Sequence, residues 1–107
     1  MRHKNYNKII QIKERTYTND ELGDSKRSGS NLISETFASV KRMPAGKTVR
    51  YESVDVEKLI EIKCHYPKTW TMSKKYIIFH NSIEYQPLQF YPDEKNRELT
   101  IEAKRYD

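Results

Sequence analysis

Along the middle of the chain, apolar and polar residues alternate one for one. Val54, Val56, Ile60, Ile62, Cys64 and Tyr66 share one parity, and Asp55, Glu57, Glu61, Lys63 and His65 share the other. Successive side chains of a strand point to opposite faces, so this pattern predicts a strand half buried on a core. Lys58 and Leu59 interrupt the alternation, which predicts a bulge or a change of partner sheet there. Pro67 ends it.

The same period recurs elsewhere. Leu99, Ile101 and Ala103 alternate with Glu98, Thr100, Glu102 and Lys104 after the turn-forming cluster from Pro92 to Asn96. Tyr76 to Phe79 and Ile83 to Tyr85 flank His80-Asn81-Ser82, a hairpin in which Asn81 can take positive φ. Leu32 to Lys41 has apolar members on both parities, as suits a twisted strand at a barrel corner, until Met43-Pro44-Ala45-Gly46 stops it. Lys8 to Tyr17, with Ile10 and Ile12 on one face, reads as the first strand. Between these two, Asn19 to Asn31 holds one apolar residue and two glycines and predicts a mobile loop. With no sustained helical period, five to six strands predict an all-β fold, a small antiparallel β-barrel or sandwich with long loops.

At 107 residues the chain is one domain spanning residues 1–107. Leu, Ile, Val and Phe make up about a fifth of it, close to the level below which chains tend to stay disordered. Eight tyrosines and one tryptophan offset that shortage. A core this thin makes completion by burial against partners an expectation. The longest apolar run, Tyr76 to Phe79, is far short of the roughly 20 residues of a membrane-spanning helix. The first fifteen residues carry six basic side chains around three isoleucines and lack the apolar stretch of a secretory signal. The expectation is a product made in the cytoplasm, with no membrane partner.

Few residues point to catalysis. Cys64 and His65 are adjacent on a strand and should diverge, Cys64 into the core and His65 outward. His80 lies beside a turn, and His3 sits near the terminus. Asp93, Glu94 and Glu98 share a charged turn with Lys95 and Arg97, a solvated face rather than an acid/base pair. Gly23, Gly29 and Gly46 match no phosphate-cradling spacing. The reading is a protein without catalytic residues, cofactor or metal, and not an enzyme.

Basic residues in connections stand out instead. Residues 1–50 carry 11 Lys/Arg against 5 Asp/Glu, whereas residues 51–107 carry 9 against 10. Lys26 and Arg27 lie in the first polar stretch, and Lys41, Arg42, Lys47 and Arg50 lie around the second. These four can meet nucleic-acid phosphates or an acidic protein surface. Tyr66, Lys68, Trp70, Lys74 and Tyr76 interleave aromatic and basic residues, as a stacking platform for single strands would. That feature supports an alternative reading, a small oligonucleotide-binding β-barrel.

The order of features, from Ile9–Arg15 through Phe37-Ala38-Ser39-Val40, the strand from Glu57 to Tyr66, Ile83-Glu84-Tyr85 and Asn96-Arg97-Glu98-Leu99, resembles the head-tail joining, or head-closure, proteins of tailed bacteriophages. Phe37 stands where that family usually has Trp, and Asn81 where its hairpin usually has Gly. The resemblance implies a virion protein, of phage or prophage, that forms a ring, commonly twelve-fold, below the portal and its adaptor. It seals packaged DNA and receives the tail proteins. It implies that the connection from Lys41 to Ser53 projects toward the channel, where Lys41, Arg42, Lys47 and Arg50 would meet packaged DNA without base specificity. Ring contacts would then fall on Tyr51, Tyr85, Phe90 and Tyr91.

Overall fold

The computed structural model describes residues 6–19, 25–51 and 53–106. Six strands carry the fold: β1 (Lys8–Asn19), β2 (Ser25–Arg42), β3 (Leu59–His65), β4 (Tyr76–His80), β5 (Ile83–Asp93) and β6 (Glu98–Arg105). They close into an antiparallel barrel in the order β1-β2-β3-β6-β5-β4. Two three-stranded meanders therefore face each other, with β3 beside β6 and β1 beside β4. The all-β barrel expected from the period-two pattern is the observed fold.

The alternating residues build its interior. Ile10 and Ile12 of β1, Ile62 and Cys64 of β3, Ile78 of β4 and Leu99, Ile101 and Ala103 of β6 are all fully buried in one cluster. Ile62 pairs with Ile101 and Cys64 with Leu99 across the β3–β6 ladder, so their side chains share the inner face. Met72, from the connection between β3 and β4, joins the same cluster, and Trp70 and Tyr76 pack against it. Residues 66–75 thus close one end of the barrel. At that end the Tyr6 hydroxyl donates to Glu98 Oε2 at 2.5 Å, and its ring stands edge-on to His65 at 4.6 Å. Asn81 and Ser82 both take positive φ, 52° and 64°, in the two-residue β4–β5 turn.

Two expectations are corrected. Asn19 belongs to β1 and Ser25–Asn31 to β2, so only residues 20–24 of the expected loop lie outside the described residues. Pairing runs on to Asn19↔Ser25. Main-chain hydrogen bonds carry this pairing, and they need no apolar face to be read in the sequence. In the middle of the chain, Val54 is not in a strand and Val56–Lys58 is a 3-10 turn, with β3 starting at Leu59. The β2 ladder with β3 ends at Arg42↔Ile60, which leaves Val54 and Val56 no strand to pair with.

β2 has two partners in succession. It pairs with β1 from Ser25 to Ala38 and with β3 from Ala38 to Arg42. β1 pairs with β4 only at Gln11–Glu14. Beyond Glu14 the β1–β2 hairpin therefore leaves the barrel as a free two-stranded ribbon. The molecule measures 57 × 34 × 23 Å, long for a chain of this size.

Candidate functional site

The connection from β2 to β3 makes the most organised polar site. Met43 is buried and its backbone N–H donates to the Leu59 carbonyl at 3.4 Å, which roots the segment on β3. Pro44 cannot extend the ladder, and its carbonyl instead accepts from Lys47 and Thr48 N–H at 2.9 and 3.3 Å. This forms a one-turn helix, α1 (Ala45–Thr48), followed by a 3-10 turn at Val49–Tyr51. Neither turn buries a residue. Val49, the one aliphatic side chain of branched type in this stretch, is 65% exposed.

Polar contacts to two carboxylates hold this strap against the barrel wall. Cross-strand pairing sets Lys41 of β2 beside Glu61 of β3, Glu61 beside Glu102 of β6, and Glu102 beside Gln89 of β5. This row faces outward, because its neighbours Ile62 and Ile101 face in. Yet Glu61 and Glu102 are 1% and 0% exposed. The strap and its cations seal them. Lys41 Nζ lies 3.4 Å from Glu61 Oε1, and Lys47 Nζ donates a short hydrogen bond to Glu61 Oε2. Arg50 Nη2 lies 3.3 Å from Glu102 Oε2, while its Nη1 donates to the Tyr91 hydroxyl at 2.6 Å. The Tyr51 hydroxyl donates to Glu102 Oε1 at 2.6 Å. Two like charges directly opposite on neighbouring strands would repel, and the three cations over them remove that penalty.

The electrostatics follow from this arrangement. Burial pushes the Glu61 carboxyl upward, but its hydrogen bond to Lys47 and the charges of Lys47, Lys41 and Lys63 outweigh burial and hold it below the usual carboxylate value. Burial raises the Tyr51 hydroxyl, and its hydrogen bond to Glu102 adds to the effect. The hydrogen bond to Tyr91, then the charge of Glu102, raises the Arg50 guanidinium further.

The four cations singled out in the sequence thus divide. Lys41, Lys47 and Arg50 converge on two carboxylates, and the exposed Arg42 makes no ion pair among the described residues. The aromatic set divides as well. Tyr85 is 8% exposed and belongs to the core cluster, so it is corrected from interface residue to core residue. Its parity on β5 turns it inward opposite Ile78. Phe90 is half-buried against the core, Tyr51 is half-buried over Glu102, and Tyr91 stays exposed. Sequence reasoning missed Glu61 and Glu102, because a carboxylate on the polar parity of an amphipathic strand reads as solvated. Their one sequence signal was the matching cations in the connection between β2 and β3.

Other polar and aromatic groups are less organised. Trp70 and Tyr76 have ring centroids 6.5 Å apart, and Trp70 lines a groove of about 430 Å³ with Tyr66, Lys68 and Phe90. Both rings are half-buried and lean on the core. Cys64 is buried, and burial followed by the charge of Glu98 pushes its thiol up to about 12. Among the described residues no three His, Cys, Asp or Glu side chains converge as metal ligands would.

Fold and site together define a small closed antiparallel barrel with a charged strap on its wall and a ribbon extending from one end. In fold the chain is similar to protein SF1141 from Shigella flexneri 2a, whose solution structure matches with a TM-score of 0.72. The match covers 94% of this chain and 93% of that one at 15% sequence identity, a likeness of fold alone. No family model matches the chain, and no curated protein matches it.

Proposed function

We propose that this chain is a structural joint, a ring-forming head-tail joining or head-closure protein of a tailed phage or prophage that seals packaged DNA and attaches the tail. The observation that carries this reading is an exposed apolar face on the β1–β2 wall of the barrel. Ile9 pairs with Phe37 on the outer face, and Leu32 lies on the same face further along, at 50, 57 and 57% exposed. Gln11 and Glu35 sit between them, joined by a 2.8 Å hydrogen bond. A lone subunit leaves this apolar surface and the ribbon's edges bare, whereas neighbours in a ring would cover them. One ring face in this reading is Ile9, Leu32 and Phe37, with the exposed Tyr91 of β5 on the opposite wall, toward the other neighbour.

Within the ring, Arg42 and the strap cations Lys41, Lys47 and Arg50 would face the DNA side, with portal or adaptor and tail proteins above and below. The test is the oligomer. The protein at high concentration, viewed by negative-stain microscopy, is expected to form rings, and Ile9→Ser with Phe37→Ser is expected to leave folded monomers. Monomers at every concentration, together with normal tail joining in phage particles carrying the double substitution, would reject this reading.

The Trp70–Tyr76 pair beside Lys68 favours one second reading, a single-strand-binding barrel. Its mark is binding of single-stranded DNA that survives physiological salt and is lost in Trp70→Ala. Binding erased by salt argues against it.

A further inference from the structure

The strap's cations are already engaged by two carboxylates of the barrel wall. We infer that residues 44–51 form an ionic latch: closed, it commits Lys47 and Arg50 to Glu61 and Glu102; open, it presents both to an incoming polyanion. This goes beyond the joint reading and does not depend on it.

Three observations carry the inference. First, α1 and the 3-10 turn bury no residue, so apolar packing does not hold them. A single helical turn is too short to be stable by itself, because nucleation costs more than its few hydrogen bonds return. Second, the segment's side-chain contacts to the wall, through Lys47, Arg50 and Tyr51, all end on the same two carboxylates or on Tyr91 beside them. Third, the root is separate from the contacts. Met43 is buried against β3 and stays with the barrel, and Pro44 follows it as an exposed pivot.

The cost of opening is correspondingly local. It breaks charged hydrogen bonds whose donors are already partly in water, since the side chains of Lys47 and Arg50 are 37% and 50% exposed. It also returns Glu61 and Glu102 to solvent, so no bare buried charge is left behind. A phosphodiester chain offers the freed cations a replacement for each carboxylate, with bidentate geometry for Arg50. In the closed site the two carboxylates already occupy those donors. Latch and polyanion therefore compete for one set of cations, and each weakens the other.

Two variants of equal net charge separate the latch from a simple change in charge. Glu61→Gln/Glu102→Gln removes the anchors while keeping their shape, and Glu14→Gln/Glu94→Gln removes two exposed carboxylates elsewhere. Trp70 emission, from the far end of the barrel, reports that each is folded. In the first variant, amide exchange at Lys47 and Thr48, whose N–H groups donate to the Pro44 carbonyl, is expected to quicken about tenfold, with the core amides of β3 unchanged. In the wild type the same amides should quicken as salt rises from about 50 to about 500 mM, and in the first variant they should not respond. The probe for the open state is a short duplex DNA at low salt. The first variant should bind it at least about tenfold more tightly than the second.

Equal exchange at Thr48 in wild type and Glu61→Gln/Glu102→Gln would overturn the latch. Equal DNA affinity of the two variants would overturn the competition. If the first variant does not fold, Lys47→Gln/Arg50→Gln replaces it in the exchange experiment, where unchanged strap protection again refutes the proposal.

Discussion

Glu61 and Glu102 stand directly opposite one another on β3 and β6, on the outer wall of the barrel, and both are sealed from solvent. Outward-facing carboxylates are ordinarily the most hydrated groups on a strand. Here a segment with no buried residue of its own shields them, and each holds a cation from that segment. The pair thus joins the β2–β3 connection to the barrel by charge.

Removing one cation should therefore cost stability. Lys47→Met leaves Glu61 with Lys41 alone as its ion-pair partner among the described residues. Because Lys47 is partly exposed, the loss is set well below that of a fully buried pair, at about 1–2 kcal/mol. Urea unfolding followed by Trp70 emission checks it, and an unchanged midpoint would contradict the pairing.

Acid should loosen the same site. Glu61 titrates below its ordinary value in the folded chain. A depressed folded value means stability that is fully present above the unfolded carboxylate value of about 4.3 and lost as pH falls through the folded one. Tm measured downward from neutral pH should fall in that acid window. Glu61→Gln should remove part of the fall, and an identical pH profile in that variant would count against it.

Cys64 should be silent until the chain unfolds. With its thiol pushed up to about 12 by burial, the folded chain carries almost no thiolate at pH 8. An aromatic disulfide reagent is expected to react only at the rate of opening, and urea should accelerate it. The sign at high pH follows: the raised value means stability intact below the unfolded thiol value of about 8.5 and declining as pH rises toward the folded one. Rapid labelling of the folded chain would refute this.

Asn81 should accept glycine and reject valine. At φ 52° it sits in the left-handed region. Asn81→Gly is expected to change stability by no more than a few tenths of a kcal/mol, and Asn81→Val to cost about 1–2 kcal/mol. Thermal unfolding of the pair checks the turn, and equal Tm values would refute it.

The interior was legible because it obeys a single rule. Ile62, Cys64, Leu99 and Ile101 lie where their parity sends them, and the Asn81 turn is where its residues ask for it. What escaped reading lies outside that rule. The pairing of β1 with Ser25 to Asn31, where a loop was expected, rests on main-chain hydrogen bonds, which leave no trace in hydrophobic periodicity. Val54 and Val56 mimic a strand but lack a partner, since strand formation needs a neighbour as much as a pattern. Tyr85 and Glu102 moved in opposite senses from their expected surfaces. An aromatic was drawn inward by its place opposite Ile78, and a carboxylate was covered by a distant loop.

Ala38 gives the barrel a mechanical character. It is the single residue of β2 that pairs with both Lys8 and Cys64, so ribbon and wall share one continuous strand. Tension on the ribbon runs straight along β2 into its ladder with β3, between Ala38 and Arg42. Antiparallel hydrogen bonds lie across the strand axis, so such a load shears all of them at once instead of peeling them singly. A pull on the ribbon is then borne by the whole wall that carries Glu61, and the strap's foundation resists being unzipped from that end.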